Sequence, residues 1–224
     1  MIDDDKRLAA EAAVAEIGDG MLVGLGSGST AAFAIAAIGG RVRDGLKIDA
    51  VATSLASEAL ARRHGIALLD FEDVASVDLV IDGTDEIDPV FRAIKGAGGA
   101  MLREKIVAAA AKRMVVVADG RKRVVRLGGV PVPVEALPFA RSFVAGEVRR
   151  LGGEPVLRMA GPDPYLTDQG NIVLDCAFVT LDMPDELAVA LSTIPGVLGH
   201  GLFVREVDAA YIAAEGTVER LERL

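Results

Sequence analysis

The chain has 224 residues, 51% of them hydrophobic and 25% charged, with a formal net charge of -9 from 24 Lys+Arg against 33 Asp+Glu. Such a composition can bury a core in one or two domains, excludes a disordered chain, and argues against nucleic acid or an anionic membrane as partner. Cys176 is the single cysteine, so no internal disulfide can form and reducing, cytoplasmic conditions are expected.

Asp3, Asp4 and Asp5 leave no basic region at the start, so no signal peptide is expected. Residues 6–17 have helical spacing and end at Gly18. The apolar run 21–25 predicts a buried strand that stops at a glycine-rich turn, and 30–38 predicts a helix ended by Gly39 and Gly40. A strand over 47–52, a helix over 55–64, a strand over 77–82, a helix over 99–112 and a strand over 114–118 follow. Strands apolar on both faces, alternating with helices, indicate a parallel sheet covered on both sides.

The pattern changes after Leu127. Residues 130–137 alternate and contain two prolines, which predicts an edge strand. A helix over 139–151, strands over 154–159 and 171–179, a helix over 184–193 and a strand from Val197 complete a ferredoxin-like order. Residues 208–214 read as one more buried strand, available to rejoin the first sheet.

Three segments carry chemistry. Gly24-Leu25-Gly26-Ser27-Gly28-Ser29-Thr30 joins a strand to a helix. Its glycines permit a sharp turn, and the helix start offers N–H groups and a partial positive charge to an anion. No Lys follows the last glycine and the GxGxxG spacing is absent, so a small phosphate ester fits better than a nucleotide. The competing reading is that Ser29 or Thr30 only caps the helix.

The second segment, Asp82-Gly83-Thr84-Asp85-Glu86-Ile87-Asp88, follows an apolar strand, at the end of a parallel sheet where ligands bind. Its spacing is not that of an EF-hand. Function is favoured for Asp82 and Asp85, and a solvated acidic turn for Glu86 and Asp88. The third, Lys95-Gly96-Ala97-Gly98-Gly99-Ala100, brings a cation and small residues and precedes Arg103-Glu104-Lys105. On spacing alone, that last triplet reads as an ordinary solvated helix face. Lys122, just past strand 114–118, is a weaker phosphate candidate. His64 and His200 have no metal-like spacing to each other or to Cys176, and read as structural.

Together these motifs resemble the A-type ribose-5-phosphate isomerase family. The resemblance rests on GLGSGSTAAF at 24–33, ATS at 52–54, DGTDEID at 82–88 and KGAGGAMLREK at 95–105. VVADGRK at 116–122, PVPVE at 131–135, TDQGN at 167–171 and IPGVLGHGLF at 194–203 support it. Thr84 stands where the family commonly has Ala.

The resemblance implies an α/β fold, with a Rossmann-like catalytic domain over 1–127 plus 204–224 and an inserted ferredoxin-like domain over 128–203. It implies interconversion of ribose 5-phosphate and ribulose 5-phosphate through an enediol, with no cofactor and no metal, in a homodimer or homotetramer. Glu104 would be the base, Lys95 would stabilise the enediolate oxygen, and Asp82 would assist ring opening. Ser27, Gly28, Ser29, Thr30, Asp82, Gly83, Thr84, Asp85, Lys95, Gly96, Ala97 and Gly98 would contact substrate, with Lys122 and Lys6 neutralising phosphate. A coenzyme A transferase would need a nucleotide-sized cleft and a second half. A sugar-phosphate sensor of a transcription regulator would need an added helix-turn-helix, and the sequence shows neither.

Overall fold

The computed structural model describes residues 2–223. In chain order the first half holds α1 (Ile2–Val14), β1 (Leu22–Leu25), α2 (Ser29–Arg43), β2 (Asp49–Ala52), α3 (Leu55–Arg63), β3 (Leu79–Gly83), β4 (Glu86–Ile87), β5 (Ala93–Ile94), α4 (Met101–Ala109) and β6 (Met114–Asp119). The second holds β7 (Val132–Ala136), α5 (Arg141–Arg150), β8 (Gly153–Leu157), β9 (Met159–Ala160), β10 (Asp163–Pro164), β11 (Ile172–Phe178), α6 (Pro184–Ser192), β12 (Val197–His200), β13 (Leu202–Phe203), β14 (Ala209–Ala214) and β15 (Thr217–Glu222). None of the described helices is long and apolar enough to cross a membrane.

The chain divides into two compact units. The first comprises the residues up to Thr84, Arg103–Arg123 and those from Arg205 on. Its six-stranded sheet has the order β15-β14-β6-β3-β1-β2, with the five strands from β14 to β2 parallel and β15 antiparallel at the edge. Val23, Leu25, Leu79, Ile81, Val115 and Val117 share one face and are buried with apolar residues of α1 and α2, and the alternate residues Val80 and Val116 are buried too, as strands covered on both faces require. Strand 208–214 does rejoin this sheet, parallel to β6.

Helix α1 starts earlier than its apolar spacing suggests, because Asp3, Asp4 and Asp5 lie in the first turn, where carboxylates complement the helix dipole. Helix α2 runs through Gly39 and Gly40 instead of ending there. Gly39 is a packing residue: a Cβ on it would lie 2.5 Å from the His64 Cβ.

The second unit comprises Asp85–Leu102 and Val124–Val204. Its four-stranded antiparallel sheet has the order β12-β7-β11-β8, with α5 and α6 as the crossing helices of a ferredoxin-like fold. A separate three-stranded sheet has the order β13-β5-β4.

The expected edge strand is interior: β7 pairs with β12 on one side and β11 on the other. Pro133 is tolerated there because of where its missing N–H would point. Its carbonyl accepts from Gly201 N at 2.7 Å, so the proline nitrogen faces that same side, beyond the last β12 pair, His200 with Val134. The ladder to β11 therefore loses no donor.

Candidate active site

In the first unit, β1 is flanked by β2 on one side and β3 on the other, so the crossover from β1 to β2 and the next one, from β2 to β3, run in opposite directions across the sheet. The loops after β1 and β3 meet at this switch point, the carboxyl edge of the sheet, where open α/β sheets bind ligands. The glycine turn and Asp82 both lie there. Asp82 is fully buried, and its Oδ1 accepts from Ser27 N at 2.9 Å and Gly83 N at 2.7 Å. Gly26 can only be glycine here, since a Cβ would fall 2.2 Å from Asp82 Oδ1.

Helix α2 has no side-chain cap, contrary to the capping reading of Ser29 or Thr30. Its N-cap is Gly28 at φ 94°, a conformation suited to glycine, and the helix begins at Ser29. The first-turn N–H groups thus have no partner within the helix, and Gly28 and Ser29 are exposed. Lys6 reaches this point from α1, donating from Nζ to Ser29 Oγ at 3.1 Å while pairing with Asp3. A 15-residue helix with open amides and a lysine at its start presents N–H donors and positive charge to an anion.

The Ser27 hydroxyl turns away from that helix start into a cluster of hydroxyls, 2.9 Å from Thr53 Oγ1, 2.7 Å from Ser54 Oγ and 3.2 Å from Ser57 Oγ. Ser57 Oγ donates to Gly26 O at 2.6 Å and Thr53 Oγ1 to Leu25 O at 3.0 Å. Thr53, Ser54 and Ser57 therefore hold the glycine turn from behind. The ATS segment marks two of them in the sequence, but nothing local shows their direction.

Glu104 lies in the first turn of α4 and is 4% exposed, so the solvated-face reading of Arg103-Glu104-Lys105 does not hold for it. The reason is packing. Val107, one turn later on the same helix face, sits against Gly24 of β1, where a Cβ would lie 2.9 Å from Val107 Cγ1. Because α4 descends toward the start of β6, Glu104 faces the sheet nearer its carboxyl edge. Lys122 follows β6 at that same edge and is half-buried. Buried Asp119 precedes it. The Arg121 guanidinium bonded to Asp119 holds that carboxyl below the usual aspartate range, against the opposing effect of burial.

In the second unit, Lys95 is 2% exposed; its N–H donates to Gly201 O at 2.9 Å and its ammonium lies 5.5 Å from the centre of the Phe203 ring. Asp85 Oδ2 accepts from Ala97 N at 2.9 Å, joining two predicted contact residues. Gly96 has φ 100° and Gly98 is exposed. Thr84, at the end of the first unit's acidic segment, is buried.

Glu86 and Asp88 are not a solvated turn: each is 4% exposed. Glu86 Oε2 accepts from Gly128 N at 2.8 Å, and Asp88 accepts from Arg92 Nε at 2.7 Å and from Val90 N and Arg92 N. Burial this close to bonding donors commits both carboxylates to holding the backbone. His200 is structural as expected, with Nδ1 accepting from Leu202 N and Nε2 beside Ser192 Oγ.

The model of the family "Ribose 5-phosphate isomerase A (phosphoriboisomerase A)" matches residues 49–217. The chain is similar to a ribose-5-phosphate isomerase A of Sphingopyxis alaskensis, 52% identical over 96% of this chain and 94% of that one. Among solved structures it is similar to the ribose 5 phosphate isomerase A of Neisseria gonorrhoeae, with TM-score 0.94 and 38% identity over 100% of this chain and 98% of that one. A D-ribose-5-phosphate isomerase in complex with phospho-erythronic acid matches with TM-score 0.96 and 35% identity over the full length of both chains.

Proposed function

The chain belongs to the ribose 5-phosphate isomerase A family, and we propose that it carries out the aldose–ketose isomerisation of that family with Glu104 as the single proton-transferring base. In the open-chain aldose, the Glu104 carboxylate takes the proton from C2. The C–H electron pair becomes the C1–C2 double bond, and the carbonyl pair moves onto the C1 oxygen, which the Lys95 ammonium stabilises. Transfer of the O2 proton to the C1 oxygen moves the negative charge to O2, and as the C2=O bond forms the double-bond pair takes the proton back from Glu104 at C1, which gives the ketose and restores the carboxylate. One base suffices because the proton moves between adjacent carbons, and a carboxylate shielded from water suits the role.

Asp82 and Asp85 bind sugar hydroxyls, and Asp82 assists opening of the furanose ring. Gly83, Thr84, Gly96 and Ala97 add van der Waals contacts, and the Gly98 N–H adds a hydrogen-bond donor. The phosphate rests on the amides of Gly28, Ser29 and Thr30, with Ser27 in the same turn, and Lys6 and Lys122 balance its charge. The observation that carries this reading is the uncapped start of α2 beside buried Asp82: an acidic protein keeps an anion site there made from backbone and Lys6. The relative bound to phospho-erythronic acid, a sugar-acid phosphate, supports the same ligand class.

The working protein is a cytoplasmic homodimer or homotetramer acting on a small pentose phosphate, without nucleic acid or membrane. Fully exposed Phe139 and half-exposed Phe143, on or beside α5, support an assembly that covers them. Incubation of the purified protein with ribose 5-phosphate tests the reading. Ribulose 5-phosphate is the expected product, and its absence with and without added divalent cations overturns the reading.

A further inference from the structure

Loop 95–99 is held by side chains that no catalytic reading uses. Arg158, between β8 and β9, donates from Nη1 to Gly96 O at 3.1 Å and to Ala97 O at 2.9 Å. Its Nε and Nη2 grip the Asp175 carboxylate of β11 at 2.9 and 2.5 Å, and the guanidinium lies 5.7 Å from the centre of the Tyr165 ring. Tyr165 in turn donates its hydroxyl to Gly98 O at 3.1 Å. The turn that follows Tyr165 is anchored on fully buried Glu135, whose Oε1 accepts from Thr167 Oγ1 at 2.8 Å and Asn171 Nδ2 at 2.9 Å. Three successive carbonyls are thus drawn to one side.

A trans peptide points its N–H opposite to its C=O. Drawing Gly96 O toward Arg158 turns the Ala97 N–H the other way, and it meets Asp85 Oδ2 at 2.9 Å. Drawing Ala97 O toward Arg158 likewise turns the Gly98 N–H away from the guanidinium at an exposed position, and among the described residues no group accepts from it.

We propose that Arg158, backed by Asp175 and Tyr165, is a positioning residue that fixes peptides 96–97 and 97–98 so that Asp85 and the Gly98 N–H present a preset pair of contacts to the substrate's sugar oxygens. This rests on the reading of residues 95–98 as substrate-binding. Lysine does not replace Arg158, because a single ammonium cannot hold the planar carboxylate fork and both carbonyls at once.

Steady-state kinetics on ribose 5-phosphate, with inorganic phosphate as a competing probe, test the proposal. Arg158→Ala is expected to lower kcat/KM roughly tenfold, mostly through KM, with Arg158→Lys recovering only part of it. The inhibition constant of inorganic phosphate is expected to stay unchanged, since that probe reads the helix start and not the loop. Tyr165→Phe, which removes one hydroxyl and keeps the ring, is expected to lower kcat/KM about twofold to fivefold. It decides the matter if Arg158→Ala does not fold.

Gly98→Pro removes the N–H in question at a position where an added Cβ meets nothing within 4 Å. If Gly98→Pro raises KM while Arg158→Ala or Tyr165→Phe leaves it unchanged, the loop binds substrate and the positioning role is wrong. If Gly98→Pro leaves KM unchanged, the substrate-binding reading of the loop fails and takes the proposal with it. An equal weakening of phosphate and sugar phosphate in Arg158→Ala shows a general packing role and overturns the proposal.

Discussion

The backbone N–H of Ser27 donates to Asp82 Oδ1 at 2.9 Å, so the turn after β1 and the acid at the end of β3 form one bonded unit. Gly26 packs directly on that acid, and a Cβ there would lie 2.5 Å from the Asp82 Cα, which cannot swing aside as a side-chain tip can. Gly26→Ala is therefore expected to lower stability by about 1–3 kcal/mol, the usual range for overpacking, and to reduce activity by displacing Asp82. Thermal melts and kinetics of Gly26→Ala beside Gly146→Ala, whose Cβ would meet nothing within 4 Å on a helical backbone, check this. Equal melting temperatures of Gly26→Ala and wild type speak against the packing argument.

Glu104→Gln keeps the size of the side chain and removes the base. Turnover is expected to fall by about 10²–10⁴-fold or more, while circular dichroism and inorganic phosphate binding stay as in wild type. Near-normal turnover in this variant assigns the proton transfer to another group.

The phosphate end of the substrate is remote from C1 and C2. Thr30→Ala, Lys122→Ala and Lys6→Ala are each expected to raise KM for ribose 5-phosphate more than they lower kcat. Backbone donors remain in every one of them, so binding weakens without vanishing. Free ribose, lacking the anchor, is expected to react far more slowly. Equal turnover of ribose and ribose 5-phosphate is the result that sinks this placement.

Asp119 links the sheet to the Lys122 turn and has a lowered pKa, chiefly because Arg121 bonds to it. A carboxylate whose pKa is lower folded than unfolded stabilises the protein above the unfolded value, about 3.9 for aspartate. That stabilisation is lost as pH falls through the folded value. Wild type is therefore expected to lose stability more steeply below about pH 4 than Asp119→Asn does, and to be the more stable of the two at pH 7. Denaturant titrations at a series of pH values measure both differences, and parallel profiles for the two proteins contradict the assignment.

Much of the molecule was legible before any coordinate. Apolar runs such as 77–82 and 114–118, alternating with helices, suffice for a parallel sheet, because strands buried on both faces need apolar residues at every position. The glycine turn at 24–28 announces a tight strand-to-helix junction for the equally local reason that φ near 94° at Gly28 suits only glycine. By contrast, the charged residues misled when taken one segment at a time. Glu104, Glu86 and Asp88 read as solvated from spacing, yet all three are 4% exposed.

By itself the sequence determined the class of fold, the order of its elements and which short segments carry chemistry, since all of these follow from local periodicity, turn residues and motif. Only the tertiary structure decided which carboxylates are buried, that β7 is interior despite Pro133, that Lys6 reaches Ser29 across 23 positions of chain, and that Arg158 holds carbonyls 61 and 62 positions away. Burial and long-range hydrogen bonds depend on which elements the topology lays side by side, and no periodicity within a segment records its neighbours from elsewhere in the chain.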